Sequence, residues 1–372
     1  MAVYLGDISG AFDRVYKETL LAKLFSIGVP DFFLAFLDAY LSPRVGQVTV
    51  AGVMSDVFDL SNMVFQGTVL GPTLWNSFFS DIAFAASSGG GEGRLFADDL
   101  NVFKQFALSV PNSQVKANMA ITRSEVHRWG YRNRVTFDHS KEYLVIIHPI
   151  QGEGMDFRLF GSLLDVKFTM APAVQDILDR ARPKVKSLLR TRGLYNHAQM
   201  LDQYKTHIWN LIEYHNGVLQ HACATQLQRI DSMQRGFLQE MHLTEASAFI
   251  HYNFAPPCLR QDIGLLGSLH KKNLGLCHEA IIGFFPRRPH VHPWHDKQLE
   301  NYSSRCPTRN SMFSRSIFQM VLVYNRLPQD VVNIDSVSGF QACLTAMAKR
   351  RCEADAVNWR QTFHTFLAYA VD

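Results

Sequence analysis

Two adjacent acids split an apolar stretch of this chain. Leu95-Phe96 stands before Asp98-Asp99, and Leu100, Val102 and Phe103 follow. Aspartate favours tight turns and is almost never buried unpaired, so the pattern reads as strand, acidic turn, strand. A second apolar run, residues 2–7, is a short strand that ends on Asp7. A chain of this kind needs an antiparallel sheet whose strand ends carry carboxylates. A hairpin turn alone accounts for Asp98-Asp99. If Asp7 faces them from a neighbouring strand, the oxygens suit hard cations such as Mg²⁺. Two such ions ~3.5–4 Å apart clamp the attacking and leaving oxygens of a phosphoryl displacement.

The surrounding segments are helices mixed with hairpins, which argues for an α+β fold. Leu20 to Gly28 suits a short helix with a glycine cap, and Phe33, Phe36, Leu37, Tyr40 and Leu41 fall on one helical stripe. Val45–Val50 and Asp56–Val64 suggest a hairpin turned at Ala51-Gly52. Gln66–Pro72 is a glycine-bounded loop, Thr73–Ala86 a buried helix, and residues 87–93 a flexible turn. That turn lacks the Gly-Lys-Ser/Thr ending of a phosphate loop. Val115, Met119, Thr122, Val126 and Trp129 mark a further helix, and strands are expected at Val135–Phe137, Tyr143–Ile147 and Phe157–Leu163. Beyond residue 170 the chain turns helical. A stripe from Val174 to Leu189 is interrupted by Pro183, and residues 198–241 read as one or two long helices.

Of 372 residues 47% are hydrophobic and 19% charged, which excludes a disordered chain. The net charge of +4 is unevenly spread. Residues 1–170 hold 14 basic and 17 acidic side chains, whereas residues 171–372 hold 23 and 16. An acidic first half followed by a basic second half fits a carboxylate site joined to a module that meets a polyanion. The six cysteines are scattered without a CxxC pair, so an intracellular setting, nuclear or cytoplasmic, is the expectation. Cys277, His290, His292, His295 and Cys306 lack the close spacing of a zinc knuckle and read as a Pro/His-rich loop. No apolar stretch is long enough for a membrane span.

Three words occur in order: Asp7-Ile8-Ser9-Gly10-Ala11-Phe12-Asp13, Gln66-Gly67-Thr68-Val69-Leu70-Gly71-Pro72 and Phe96-Ala97-Asp98-Asp99. They resemble motifs A, B and C of reverse transcriptases. Trp129, Asn133, Val135, Phe137 and Ser140-Lys141-Glu142 resemble motif D. Phe157 to Asp165 resembles the motif E hairpin of LINE-type, non-LTR retrotransposon enzymes. Looser likeness continues through Leu201–Glu240 to Arg315-Ser316-Ile317-Phe318 and Tyr324-Asn325-Arg326-Leu327-Pro328.

The resemblance implies a right-hand polymerase: a palm over residues 1–165, with an antiparallel sheet and helices on one face, a helical thumb over 166–245 and a C-terminal extension over 246–372. It implies RNA-directed DNA synthesis from an RNA template, a DNA primer and dNTPs, in a ribonucleoprotein. Two Mg²⁺ ions, with Mn²⁺ as a substitute, would be held by Asp7, Asp98 and, less directly, Asp99, with help from the Ile8 carbonyl. Phe12 would sit under the sugar and exclude ribonucleotides. Gln66 and Gly67 would contact the incoming nucleotide, and Lys141 would protonate the leaving pyrophosphate. Phe157 and Gly161 would belong to the primer grip, and Arg180, Arg182, Lys184 and Lys186 would meet phosphates. The family carries fingers ahead of motif A, and some members an endonuclease. The chain begins six residues before Asp7, so the expectation is a truncated copy that polymerises poorly. The alternatives are a non-catalytic nucleic-acid-binding remnant and, less consistent with Gln66–Pro72, a metal-dependent hydrolase.

Overall fold

The computed structural model describes residues 1–60, 63–278, 283–288, 295–300 and 316–364. It divides into two compact units, residues 1–157 and 158–372.

The first unit is built on β1 (Ala2–Asp7). After a 3₁₀ turn at Ala11–Arg14 come α1 (Lys17–Ser26) and α2 (Asp31–Tyr40), then short strands β2 (Arg44–Gly46), β3 (Thr49–Val50), β4 (Val53–Met54) and β5 (Phe58–Leu60). Next are α3 (Gly71–Phe79), α4 (Ile82–Ser88), β6 (Glu92–Phe96), β7 (Asp99–Lys104), α5 (Asn112–Asn133) and β8 (Tyr143–Ile146). The main sheet is antiparallel in the order β6-β7-β1-β8. Its centre is buried because β1 and β7 carry apolar side chains: Ala2, Tyr4, Leu100 and Val102 join a core with Leu20, Leu74, Trp75, Phe78, Ile82, Met119, Val126 and Trp129 from the helices.

β2–β5 and β3–β4 pair as two short ladders around the turn at Ala51-Gly52, whose φ values of 50° and 83° suit a two-residue hairpin. The expected single helix over Thr73–Ala86 is two helices broken at Ser80-Asp81. At this junction Asp81 Oδ1 accepts hydrogen bonds from Lys23 Nζ and from Trp129 Nε1, both at 2.8 Å, and ties the two helices to α1 and α5. Val135–Phe137 makes a single bridge to Ile8 instead of a strand. In α2 only Leu37 of the stripe's helical part is buried, while Phe33 and Phe36 stack on one another at the surface. The glycine stretch is a packing device, not a flexible tether. A Cβ on Gly91 would lie 2.5 Å from Val102 Cγ1, so only glycine lets the chain cross β7 this closely.

The unit boundary falls inside β9 (Phe157–Leu159), which pairs with β10 (Ser162–Leu164) around Phe160-Gly161. The second unit then holds α6 (Ala171–Arg190), α7 (His197–Tyr204), a π-helical turn at Lys205–Trp209, α8 (Asn210–Glu213), α9 (Asn216–Leu219), α10 (Ala224–Glu240), α11 (Glu245–Tyr252), α12 (Pro257–Asn273), α13 (Ser316–Tyr324), α14 (Gln329–Val332) and α15 (Val337–Glu353). α6 runs through Pro183. Interior proline costs a helix ~3 kcal/mol, and the burial of Val174, Ile177, Leu178, Ala181 and Val185 offsets it. The long helices expected over 198–241 are found as two: α7, the π-helical turn and α8 run without a break from His197 to Glu213, and α10 spans Ala224–Glu240, with the short α9 between them. The Tyr324–Pro328 word is structural: Asn325 is buried and its side chain exchanges two 2.8 Å hydrogen bonds with the Leu299 backbone. Arg315, Cys306, His290 and His292 lie outside the described residues.

Candidate active site

β1 and β7 are neighbouring strands, and their register sets Asp7 directly opposite Asp99. Opposed residues of an antiparallel pair share a face, with Cβ atoms ~4.5–5.5 Å apart. Asp98 precedes Asp99 in the two-residue turn Ala97-Asp98 that joins β6 to β7. The structure therefore brings Asp7, Asp98 and Asp99 to one end of the sheet, although 91 positions separate the first two. Ala97 takes φ 53°, a left-handed conformation that alanine adopts rarely. The turn is held there by Trp75, whose Nε1 donates to the Ala97 carbonyl at 2.8 Å. Trp75 is 1% exposed and stacks on Phe79 and on Phe12. One buried indole thus links the 3₁₀ turn after β1, the helix α3 and the β6–β7 turn. The sequence offered no local signal for this role.

The clustered acids bear on Asp99. Asp99 is pushed above the usual carboxylate range by partial burial, then by the charges of Asp98 and Asp7. Lys141 partly compensates. Its ammonium donates to Asp7 Oδ2 at 2.6 Å and lies 4.0 Å from Asp138. That hydrogen bond, with the charges of Asp7, Asp138 and Asp98, raises the lysine above its ordinary value and keeps it protonated. Asp138 is fixed in turn: its N–H donates to the Asp7 carbonyl, and its side chain accepts from the Ser140 N–H and hydroxyl. The loop of residues 138–142 is thereby bound to the end of β1.

The remaining residues of the first unit lie around this end. The Ile8 side chain is buried, and its backbone bridges to Phe137. Phe12 is half-buried, 5.9 Å from Trp75 between ring centroids. A Cβ on Gly71 would reach to 3.4 Å from it, so the ring packs beneath the start of α3. Gln66 and Gly67 are exposed in a turn closed by Thr68 N–H to the Phe65 carbonyl. Gly67 has φ 78°, which favours glycine there.

In the second unit, Gly161 turns the β9–β10 hairpin with φ 80° and lines an open hollow with Arg180, Lys184, Thr206, His207 and Tyr214. Phe157, at the boundary, is buried, so its side chain can support the hairpin but cannot touch a polymer. Arg180 is committed to Asp176 at 2.6 Å. The basic run is not one face of α6. At 100° per residue, Arg180 and Lys184 lie on one side of the buried stripe and Arg182 and Lys186 on the other. All four are exposed.

No family model matches this chain. It is 40% identical over 76 residues to the RNA-directed DNA polymerase from mobile element jockey of Drosophila melanogaster, a match over 20% of this chain and 8% of that protein. It is 27% identical over 246 residues to the "Probable RNA-directed DNA polymerase from transposon X-element" of Drosophila melanogaster, covering 61% of this chain and 27% of the relative. The jockey polymerase of Drosophila funebris is 25% identical over 256 residues, 63% of this chain and 28% of the relative. The chain thus spans little more than a quarter of the relatives it matches most broadly. Matches of this extent, to three polymerases of two element types, agree with the ordered motif words, and the chain is related by descent to the reverse transcriptases of non-LTR retrotransposons.

Proposed function

We propose that this chain supplies the palm, and a helical thumb over residues 166–245, of an RNA-directed DNA polymerase that extends a DNA primer on an RNA template with dNTPs. The observation that carries the reading is the pairing of Asp7 with Asp99 beside the Asp98 turn. The donor set fits Mg²⁺: all three groups offer hard oxygens, and the elevated Asp99 carboxyl marks charge that a cation would relieve. When bound, two Mg²⁺ ions supply charge neutralisation on the attacking and leaving oxygens. Asp7 and Asp98 would hold them, with Asp99 adding to the field. Lys141, kept protonated beside Asp7, has a proton to give to departing pyrophosphate. It is 59% exposed, so its flexible stem can leave Asp7 for that oxygen. Primer extension on an RNA template with Mg²⁺ and dNTPs tests the reading. Binding without extension would favour the non-catalytic remnant.

Two further outcomes are expected. Phe12→Ala should open space beside Gly71 and raise ribonucleotide incorporation relative to deoxyribonucleotide. An unchanged ratio would leave Phe12 as a packing residue. Binding of an RNA–DNA hybrid should weaken as salt rises, because Lys and Arg that neutralise phosphates release counterions, with log K falling by roughly 0.9 per phosphate on a B-form reference. Replacing Lys184 with Arg182 and Lys186 should flatten that slope. Because the helix separates Lys184 from the other two, the single Lys184→Ala change and the Arg182/Lys186 pair should differ, and the larger effect marks the side facing the duplex.

A further inference from the structure

Glu142 is a buried carboxylate ringed by donors, at a place the polymerase reading does not use. Its side chain is 3% exposed. Oε1 meets His127 Nε2 at 2.6 Å and accepts from the Tyr4 hydroxyl. Oε2 accepts from Arg123 at 2.6 Å and meets His139 Nδ1 at 3.0 Å. The two imidazole nitrogens and the carboxylate lie within 4.8 Å of one another. The two rings are stacked, 5.5 Å between centroids and 10° from parallel, so both turn an edge to the same carboxylate. His127 comes from α5 and His139 from the loop, so the cluster joins two elements.

We propose that His127, His139 and Glu142 form a binding site for a zinc-class divalent metal. Neutral imidazole suits Zn²⁺, and two imidazoles with one carboxylate are an established zinc donor set that leaves a fourth position open. Bonds of about 2.0–2.2 Å in tetrahedral geometry put ligand atoms about 3.3 Å apart. The nitrogens stand 2.6 and 3.0 Å from the two carboxylate oxygens, and the three ligand atoms lie within 4.8 Å of one another, so an ion would draw them together. The Tyr4 hydroxyl and Arg123 already orient the carboxylate, as outer partners of metal ligands do. Arg123 is half exposed, so solvent screens its charge. The site differs in kind from the cluster at Asp7, whose all-oxygen donors suit Mg²⁺. An occupied site would pin to α5 the loop that carries Lys141. None of this depends on whether the chain polymerises.

The test is a Zn²⁺ titration of the metal-stripped chain against a competing chelator, in excess Mg²⁺ so that the carboxylate cluster is saturated. The expected result is one saturable Zn²⁺ site that His139→Ala weakens at least tenfold. The His139 side chain is 72% exposed, so this change does not threaten the fold. Co²⁺ used as a probe should give the strong visible bands of a low-coordinate imidazole site, lost in both His139→Ala and His127→Gln. The proposal is overturned by the absence of saturable Zn²⁺ binding, by equal Zn²⁺ affinity in the parent and His139→Ala, or by a Co²⁺ spectrum that neither substitution alters.

Discussion

Trp75→Ala should destabilise the first unit by about 3–5 kcal/mol, the range for emptying a buried aromatic site. The residue is 1% exposed and its ring meets Phe79 at 5.1 Å, Phe12 at 5.9 Å and Phe78 at 6.0 Å. It also carries the hydrogen bond to the Ala97 carbonyl. Trp75→Phe separates the two effects. It keeps most of the apolar volume but removes the donor, so it should cost about 1–3 kcal/mol and loosen the Asp98 turn. Hydrogen exchange of the β6 and β7 amides, followed through denaturant, reads both changes. A loss under 1 kcal/mol for Trp75→Ala would mean that the indole does not anchor the turn.

The second large effect falls on chemistry. Asp98→Asn preserves shape and removes one charge, so Mg²⁺-dependent primer extension should fall by at least ~10²–10³, the usual cost of one preorganised electrostatic group. The same change should move the Asp99 carboxyl back toward its ordinary value, since Asp98 is its largest charged perturber. Extension at the parent rate would remove Asp98 from the mechanism. An unmoved Asp99 would place burial alone behind its shift.

The carboxylate end of the sheet was legible because it is written locally. Asp7 closes an apolar strand, Asp98-Asp99 breaks another, and antiparallel pairing can only bring such ends together. Loop glycines were legible for the same reason: Gly67 and Gly161 sit where a turn needs positive φ. The supports of the site were not legible, because each joins distant positions. Trp75 reaches Ala97 across 22 positions, Trp129 reaches Asp81 across 48, and Tyr4 reaches Glu142 across 138. Nothing in the local pattern around His127 marks it as a partner of Glu142. Pro183 misleads as an interruption: the stripe on either side of it is legible, but that its burial outweighs the local helix penalty shows only in the packed unit. Likewise Phe33 and Phe36 satisfy helical periodicity, yet stand at the surface while Leu37 carries the burial.

Burial separates two neighbours of the loop after α5. Lys141 and Glu142 are adjacent in sequence but face opposite circumstances. Lys141 is 59% exposed and bound to Asp7. Glu142 is enclosed, and although burial alone would raise its carboxyl, hydrogen bonds from Tyr4, His139 and Arg123 hold it down to about 2. The loop thus presents one mobile cation to the carboxylate cluster while its next residue fixes it to α5.

Asp7 and Asp98 should together form a divalent-cation site that serves a nucleoside triphosphate. Mn²⁺ binding, followed by the loss of the free-ion electron paramagnetic signal, tests it most directly, in a His139→Ala background that silences the imidazole cluster. Saturable Mn²⁺ binding should appear, tighten when a dNTP is added, and be lost in the Asp7→Asn, Asp98→Asn double variant while the fold persists. Mn²⁺ binding of equal strength in the double variant, or binding indifferent to dNTP, would contradict it.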